Sequence, residues 1–202
     1  SQLTALALLM GLAASSTFAA DTMPTLDFST LQQQHGIAID TRLSAFYNGW
    51  PQSANGPQGH EPQALNLSAT WLGAMSDEQL RAWATQHQLQ TDTPIALYGG
   101  ADDNARVAAR LKEAGFTKLS TLSDAFSQGE RLQKLPHFEQ LVYPQWIHDL
   151  QQGKTVTAAP QGDWKLFEVA WGAPKFYLLN HIPGAGYIDT NEVESEPLWN
   201  KV

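Results

Sequence analysis

Pro94-Ile-Ala-Leu-Tyr-Gly-Gly-Ala-Asp-Asp-Asn-Ala-Arg-Val-Ala-Ala-Arg-Leu-Lys-Glu-Ala-Gly115 is the stretch whose reading decides the fold. Ile95 to Tyr98 is a short apolar run behind a proline, and Gly99 and Gly100 break it. Val107, Ala108, Leu111 and Ala114 then recur at helical spacing up to Gly115, a residue suited to stopping a helix. The reading is strand, tight loop, helix. In a parallel α/β sheet, ligands bind where a strand's carboxyl end feeds a helix amino terminus, because free backbone N–H groups and the helix dipole converge there. A site in this part of the chain is expected at Gly99 and Gly100. Between Tyr98 and Arg106 there is no Cys, Ser, Thr, Lys or His, so the loop reads as shaped for binding but without chemistry of its own.

The flanks repeat the alternation. Upstream, Thr25 to His35 reads as a short helix with Asp27 or Ser29 as cap and Gly36 as stop. Ile37-Ala-Ile39 is a buried strand running into Asp40-Thr41-Arg42. The acid and the guanidinium there either pair to hold the strand end or serve a substrate. Phe46 to Gly59 reads as an irregular loop, and His60 to Leu67 as a turn and a short strand. Ser76-Asp-Glu-Gln79 is a capping box opening a helix with Leu80, Trp83 and Ala84 inward. Downstream, Phe116 to Leu122 is a further strand, Asp124 to Phe126 a turn, and 128–140 an interdomain linker. Helix and strand alternate in the way that makes a parallel sheet flanked by helices.

Beyond the linker, a helix starts at Pro144 and ends near Gly153, and Lys165 to Trp171 is a strand. His181-Ile-Pro183-Gly184-Ala185 then matches His60-Glu-Pro62-Gln-Ala64, each following a strand with an acid, Glu168 or Asp40. This reads as an internal repeat at domain-sized spacing. The second copy stops before a counterpart of the central strand, loop and helix, which leaves edges and apolar faces exposed.

Composition bounds the function. The 202 residues are 43% hydrophobic with seven Trp and eight Phe, enough for a packed core, and the net charge is −8. Twelve Lys and Arg, scattered, make no basic patch for nucleic acid or an anionic membrane. The absence of cysteine excludes disulfides, thiolate metal ligands and a thiolate nucleophile within these residues. The six histidines show no paired ligand spacing, and there is no Walker loop and no Gly-x-Ser-x-Gly. His60 and His181 read as turn formers donating to backbone carbonyls, with a role as bases the alternative. Leu3 to Ala14, followed by small residues, reads as a secretory signal peptide cleaved after Ala19, with Thr17 at the −3 position. An anchor or core helix is the alternative. The missing initiator Met is read as a start inside a longer frame.

Ile39-Asp-Thr-Arg42, Tyr47-Asn-Gly49, His60-x-Pro62-x-Ala64, Ile95-Ala-Leu-Tyr98, Leu122-Ser-Asp-Ala-Phe126 and Asn180-His-Ile-Pro-Gly-Ala185 resemble, in order, the motifs of the rhodanese homology domain. The whole chain resembles the periplasmic, three-domain thiosulfate sulfurtransferases built from that domain. The resemblance implies a rhodanese-like parallel sheet flanked by helices, one complete copy over 25–127 plus the start of a second over 141–202, behind a signal peptide over 1–19. It implies transfer of sulfane sulfur from thiosulfate or another donor through a Cys persulfide, without a cofactor or metal. It implies a periplasmic location, downstream rhodanese domains as partners, and no nucleic-acid or membrane partner. Asp40, Arg42, His60, Pro62, Tyr98, Arg106, His181, Pro183 and Gly184 fall on motif positions with structural roles. Gly99 stands where an active copy carries Cys, and Asp102 and Asp103 put negative charge where an anion would sit. The resemblance therefore implies a non-catalytic first copy, with the Cys beyond Val202. The alternatives are a free-standing inactive binding or docking module and, by fold analogy alone, a receiver-like domain with Asp102 or Asp103 as phosphoacceptor.

Overall fold

The structure, a computed structural model, describes residues 23–194. The expected signal peptide and its cleavage at Ala19 lie outside the described residues. The chain divides into two compact units after Tyr143.

The first unit is built on a five-stranded parallel sheet. Its strands are β1 (Thr25–Leu26), β2 (Ile37–Asp40), β3 (Leu65–Asn66), β4 (Ile95–Tyr98) and β5 (Leu119–Leu122), in the order β1-β5-β4-β2-β3. β4 lies at the centre, with Ile37 to Asp40 in register against Ile95 to Tyr98 on one side and Ile95 to Leu97 against Leu119 to Thr121 on the other. All four β4 residues are buried, as a central strand covered on both faces requires.

Alternation along the strands sorts the core into two layers. Ile39, Ile95 and Leu97 face Leu80 and Ala84 of α3 (Asp77–Gln86) and Val107 and Leu111 of α4 (Ala101–Glu113). Ala38, Ala96 and Tyr98 face Leu31 of α1 (Phe28–Gln33). Caps set the helix starts. Asp27 accepts from the Thr30 amide at 2.7 Å, and Ser76 and Gln79 form a reciprocal capping box. α4 begins directly after Gly100, carries Asp102 and Asp103 in its first turn and Arg110 and Lys112 in its last, and gives way to Gly115 at φ +97°.

Two expectations are corrected. The first helix does not start at Thr25, because Thr25 and Leu26 pair with Thr121 and Leu122 as the edge strand β1. Phe46 to Gly59 is not irregular throughout, because α2 (Ser44–Asn48) occupies its start without a side-chain cap. Residues 128–140, read as a linker, pack on the first unit. His60 and Gln133 exchange two backbone hydrogen bonds, and Trp50 meets Phe138 and Tyr143 edge to face at 5.6 and 5.8 Å.

The second unit holds α5 (Pro144–Gln151), β6 (Phe167–Ala170), α6 (Lys175–Leu179) and β7 (Gly186–Asp189). β6 and β7 pair in parallel, and Trp146 of α5 is buried, its indole N–H donating to the Thr157 carbonyl at 2.8 Å.

Candidate functional site

The carboxyl edge of the first sheet is where the sequence places a site, and the structure packs Thr41 and Arg42 against its first glycine. β4 ends at Tyr98, and only Gly99 and Gly100 separate it from α4. Gly99 has φ +134°, and a Cβ there would lie 2.7 Å from Thr41 Oγ1 and 2.9 Å from Arg42 Cγ. The buried Thr41 hydroxyl sits 3.0 Å from the Tyr98 carbonyl and 2.8 Å from Asn104 Oδ1, tying β2, β4 and α4 together beside the loop. A ligand-cradling loop needs convergent free N–H groups and space; at Gly99 that space is taken by Thr41 and Arg42, while Gly100 is open. The first turn of α4 adds Asp102 and Asp103, which suit the helix dipole and repel an anion.

Asp40 and Arg42, both buried, face each other with Nη2 to Oδ2 at 2.6 Å and Nε to Oδ1 at 3.0 Å. Nη2 also donates to the Gly59 carbonyl at 2.7 Å, and the guanidinium lies 4.4 Å from the Phe126 ring centroid. The pair ties the β2 end to Gly59 and to Phe126, and Arg42 Nη1 is buried without a hydrogen-bond partner among the described residues. The Tyr98 hydroxyl accepts from the Glu61 amide at 3.0 Å, and burial, reinforced by Asp40, raises its pKa far above the tyrosine range. Arg106 is exposed and pairs with Asp103 at 2.8 Å on the helix surface.

The two His-x-Pro-x-Ala segments have the same local geometry. His60 stacks on Tyr47 at 3.7 Å between centroids, its Nδ1 is 2.7 Å from the Tyr47 carbonyl, and the Tyr47 hydroxyl donates to the Ala64 carbonyl at 2.7 Å. His181 stacks on Tyr177 at 4.0 Å, its Nδ1 is 2.8 Å from the Tyr177 carbonyl, and the Tyr177 hydroxyl donates to the Ala185 carbonyl at 2.7 Å. A carbonyl only accepts, so Nδ1 carries the proton in both rings. In each, the segment between His and Ala, with Pro62 or with Pro183 and Gly184, turns the chain into a strand parallel to the one before it. Asp40 pairs in register with Asn66, and Glu168 with Tyr187, in each case the second residue after the alanine.

Glu61 is the residue that sequence reading missed. Although fully buried, it accepts from the Phe126 amide and from Arg131 Nε, both at 2.7 Å. In the sequence it is an inconspicuous acid inside the His60 motif. Among the described residues no group of three His, Cys, Asp or Glu could hold a metal ion, and no helix is long and apolar enough to cross a membrane.

A parallel five-stranded sheet in this strand order, flanked by helices, gives the first unit the rhodanese-like fold. Over all 202 residues the chain is 68% identical to the thiosulfate sulfurtransferase YnjE of Escherichia coli K12, of whose length it spans 46%. The crystal structure of YnjE aligns with a TM-score of 0.80, over 93% of this chain and 45% of that one. A persulfide form of an EanB variant with ergothioneine aligns at 26% identity and a TM-score of 0.73, over 87% of this chain and 43% of that one. Wild-type EanB, 24% identical with a TM-score of 0.75 over 88% of this chain and 43% of that one, shares the fold. No protein-family model matches the chain.

Proposed function

We propose that these residues are the amino-terminal part of a periplasmic thiosulfate sulfurtransferase and contribute a non-catalytic rhodanese-like unit, the sulfur-carrying Cys lying outside them. The observation that carries the reading is the Gly99 position: the residue type has no nucleophile, and its surroundings leave no room for one. The 68% identity to a thiosulfate sulfurtransferase over the whole chain supports the activity of the larger protein, with thiosulfate or another sulfane-sulfur compound as donor. Sulfane transfer needs a thiolate that attacks the donor's outer sulfur, releases sulfite and keeps a persulfide. No residue here supplies it.

The second unit is read as the start of another copy of the first. The matched Tyr-His-Ala geometry and the equal register of Asp40 and Glu168 support this. On that reading Phe167 and Val169 correspond to Ile39 and Thr41. The latter two are buried, whereas Phe167 is 46% and Val169 58% exposed. Trp171, Phe176 and Leu179 are about as exposed as free side chains. Such a surface favours the reading that further rhodanese domains of the same protein cover it. The apolar Leu3 to Ala14 run and the Thr17-to-Ala19 site support export to the periplasm with signal cleavage.

The test is a thiosulfate assay with cyanide as sulfur acceptor, on this 202-residue chain and on the product of the whole reading frame. Thiocyanate from the longer protein alone is the expected result. Thiocyanate from the short chain would overturn the assignment of a non-catalytic unit, and none from either would leave a docking module as the better reading.

A further inference from the structure

We infer that the second unit holds a binding site for a guanidinium group at Glu168, where the first unit has its own Arg42. The inference rests on the reading of the second unit as a further copy of the first.

The two registers set the correspondence. Asp40 pairs with Asn66 and Glu168 with Tyr187, each partner two residues after the alanine of its His-x-Pro-x-Ala segment. Two residues past the acid, the first copy has Arg42 and the second Ala170. In the first copy the guanidinium neutralises Asp40, donates to the Gly59 carbonyl and lies against the Phe126 ring. The second copy keeps the acid and lacks that arginine. Among the described residues Glu168 has no ion-pair partner and its carboxylate accepts no hydrogen bond.

Beside Glu168 lies a cleft of about 310 Å³, lined also by Ala170, Trp171, Lys175, Tyr177 and Tyr187. Strand alternation puts Glu168, Ala170 and their partners Tyr187 and Asp189 on one face of the β6 and β7 pair, and Phe167 and Val169 on the other. The Tyr177 and Tyr187 hydroxyls donate to the Ala185 and Gly172 carbonyls, so the two residues offer the cleft their rings. The Trp171 indole N–H donates to Asn191, which holds a third ring at the rim. Burial, followed by the carboxylates of Asp189, Glu168 and Glu192, raises the Tyr187 pKa, so the negative potential of three acids converges on this wall. Lys175 is exposed and makes no ion pair with Glu168 among the described residues.

A carboxylate flanked by aromatic rings suits a planar, delocalised cation. A guanidinium forms paired N–H···O bonds with the carboxylate and stacks on a ring, as Arg42 does with Asp40 and Phe126. An ammonium would bring the charge without the fork or the stacking. The group comes from a small molecule or from an arginine side chain of the same protein outside these residues.

Titration of the isotope-labelled 202-residue chain with N-acetylarginine amide, followed by amide chemical shifts, tests this, with the neutral N-acetylnorleucine amide as control. Saturable shifts at Glu168, Ala170, Tyr187 and the Trp171 indole N–H are expected with the cationic probe alone. Glu168→Gln is expected to weaken binding by about tenfold or more. Ala170→Arg, whose own side chain takes the site, is expected to abolish it and to raise the denaturant midpoint of the second unit. Saturation transfer to the same probe from the product of the whole reading frame separates the two sources. Binding there means a small molecule, and binding by the 202-residue chain alone means an arginine of the same protein. Equal shifts from both probes, or undiminished binding by Glu168→Gln, would overturn the inference. Binding lost in Glu168→Gln but kept in Ala170→Arg would overturn it too, by showing that Ala170 does not stand at the place of Arg42. No shift in the wild type would remove the site. A raised midpoint in Ala170→Arg would then leave the second-copy reading standing, and an unchanged one would remove both.

Discussion

Replacing Gly99 by Cys puts a thiol at the position that, on the proposed reading, corresponds to the Cys of an active copy, and the geometry around Gly99 predicts that it neither fits nor works. The added Cβ would stand 2.7 Å from Thr41 Oγ1, 2.9 Å from Arg42 Cγ and 3.2 Å from the Arg42 backbone nitrogen. Those neighbours are not free to move. The Thr41 hydroxyl is engaged by Tyr98 and Asn104, and Arg42 is fixed by Asp40 and Gly59. Overpacking of this kind costs about 1–3 kcal/mol. Holding a side chain at the observed φ of +134° costs about 1–3 kcal/mol more. The expected loss is about 2–6 kcal/mol, read as a lower denaturant midpoint of the first unit. Gly100 is the control. It is extended at φ −179°, and the methyl group of an alanine there would have nothing within 4 Å, so Gly100→Ala should cost less than about 1 kcal/mol. In the cyanide assay Gly99→Cys should release no thiocyanate. Equal midpoints for the two variants, or thiocyanate from Gly99→Cys in the 202-residue chain, would refute the argument that Thr41 and Arg42 occupy the site.

Three further outcomes are expected. Asp40→Ala strands the buried Arg42 charge and should destabilise the first unit by about 3–5 kcal/mol, measured by denaturant unfolding, whereas the double replacement should cost less than the sum of the single ones. Tyr47→Phe removes only the hydrogen bond to the Ala64 carbonyl and should cost about 0.5–1.5 kcal/mol in the same measurement, with the His60 ring still in place by crystallography. The Asp27 pKa is lowered below its ordinary 3.8 first by the Thr30 amide, so its capping contribution is present above that value and lost as pH falls through the lower folded value. Asp27→Asn should therefore narrow its stability gap from wild type in acid titrations below pH about 4, and an unchanged gap would contradict the cap.

The central strand, its glycines and α4 are legible because periodicity, a proline and two glycines bound them on both sides. The capping box at Ser76 is legible because its two partners are three residues apart. α2 and α6 (Lys175–Leu179) are not, because neither has a side-chain cap and each is a single short turn or so. β1 has two residues, too few for any alternation to register. At the site, the local sequence marks Gly99 as lacking a nucleophile. That Thr41 and Arg42 press against it depends on the register of β2 against β4, which no local pattern encodes. Glu61 is invisible for the same reason, since its partners Phe126 and Arg131 lie far along the chain. The segment 128–140 resembles a linker because its proline, glycine and charges are those of a surface stretch of chain, and its attachments are nearly all through backbone or single long-range side chains.

The measurement that bears most directly on the account is peptide mapping by mass spectrometry of the whole reading frame's product after brief exposure to thiosulfate. The account predicts one added sulfur atom, removable by cyanide, on a Cys-containing peptide outside these 202 residues, and none on any peptide within them. Sulfur retained on a peptide from 23–143 would contradict it.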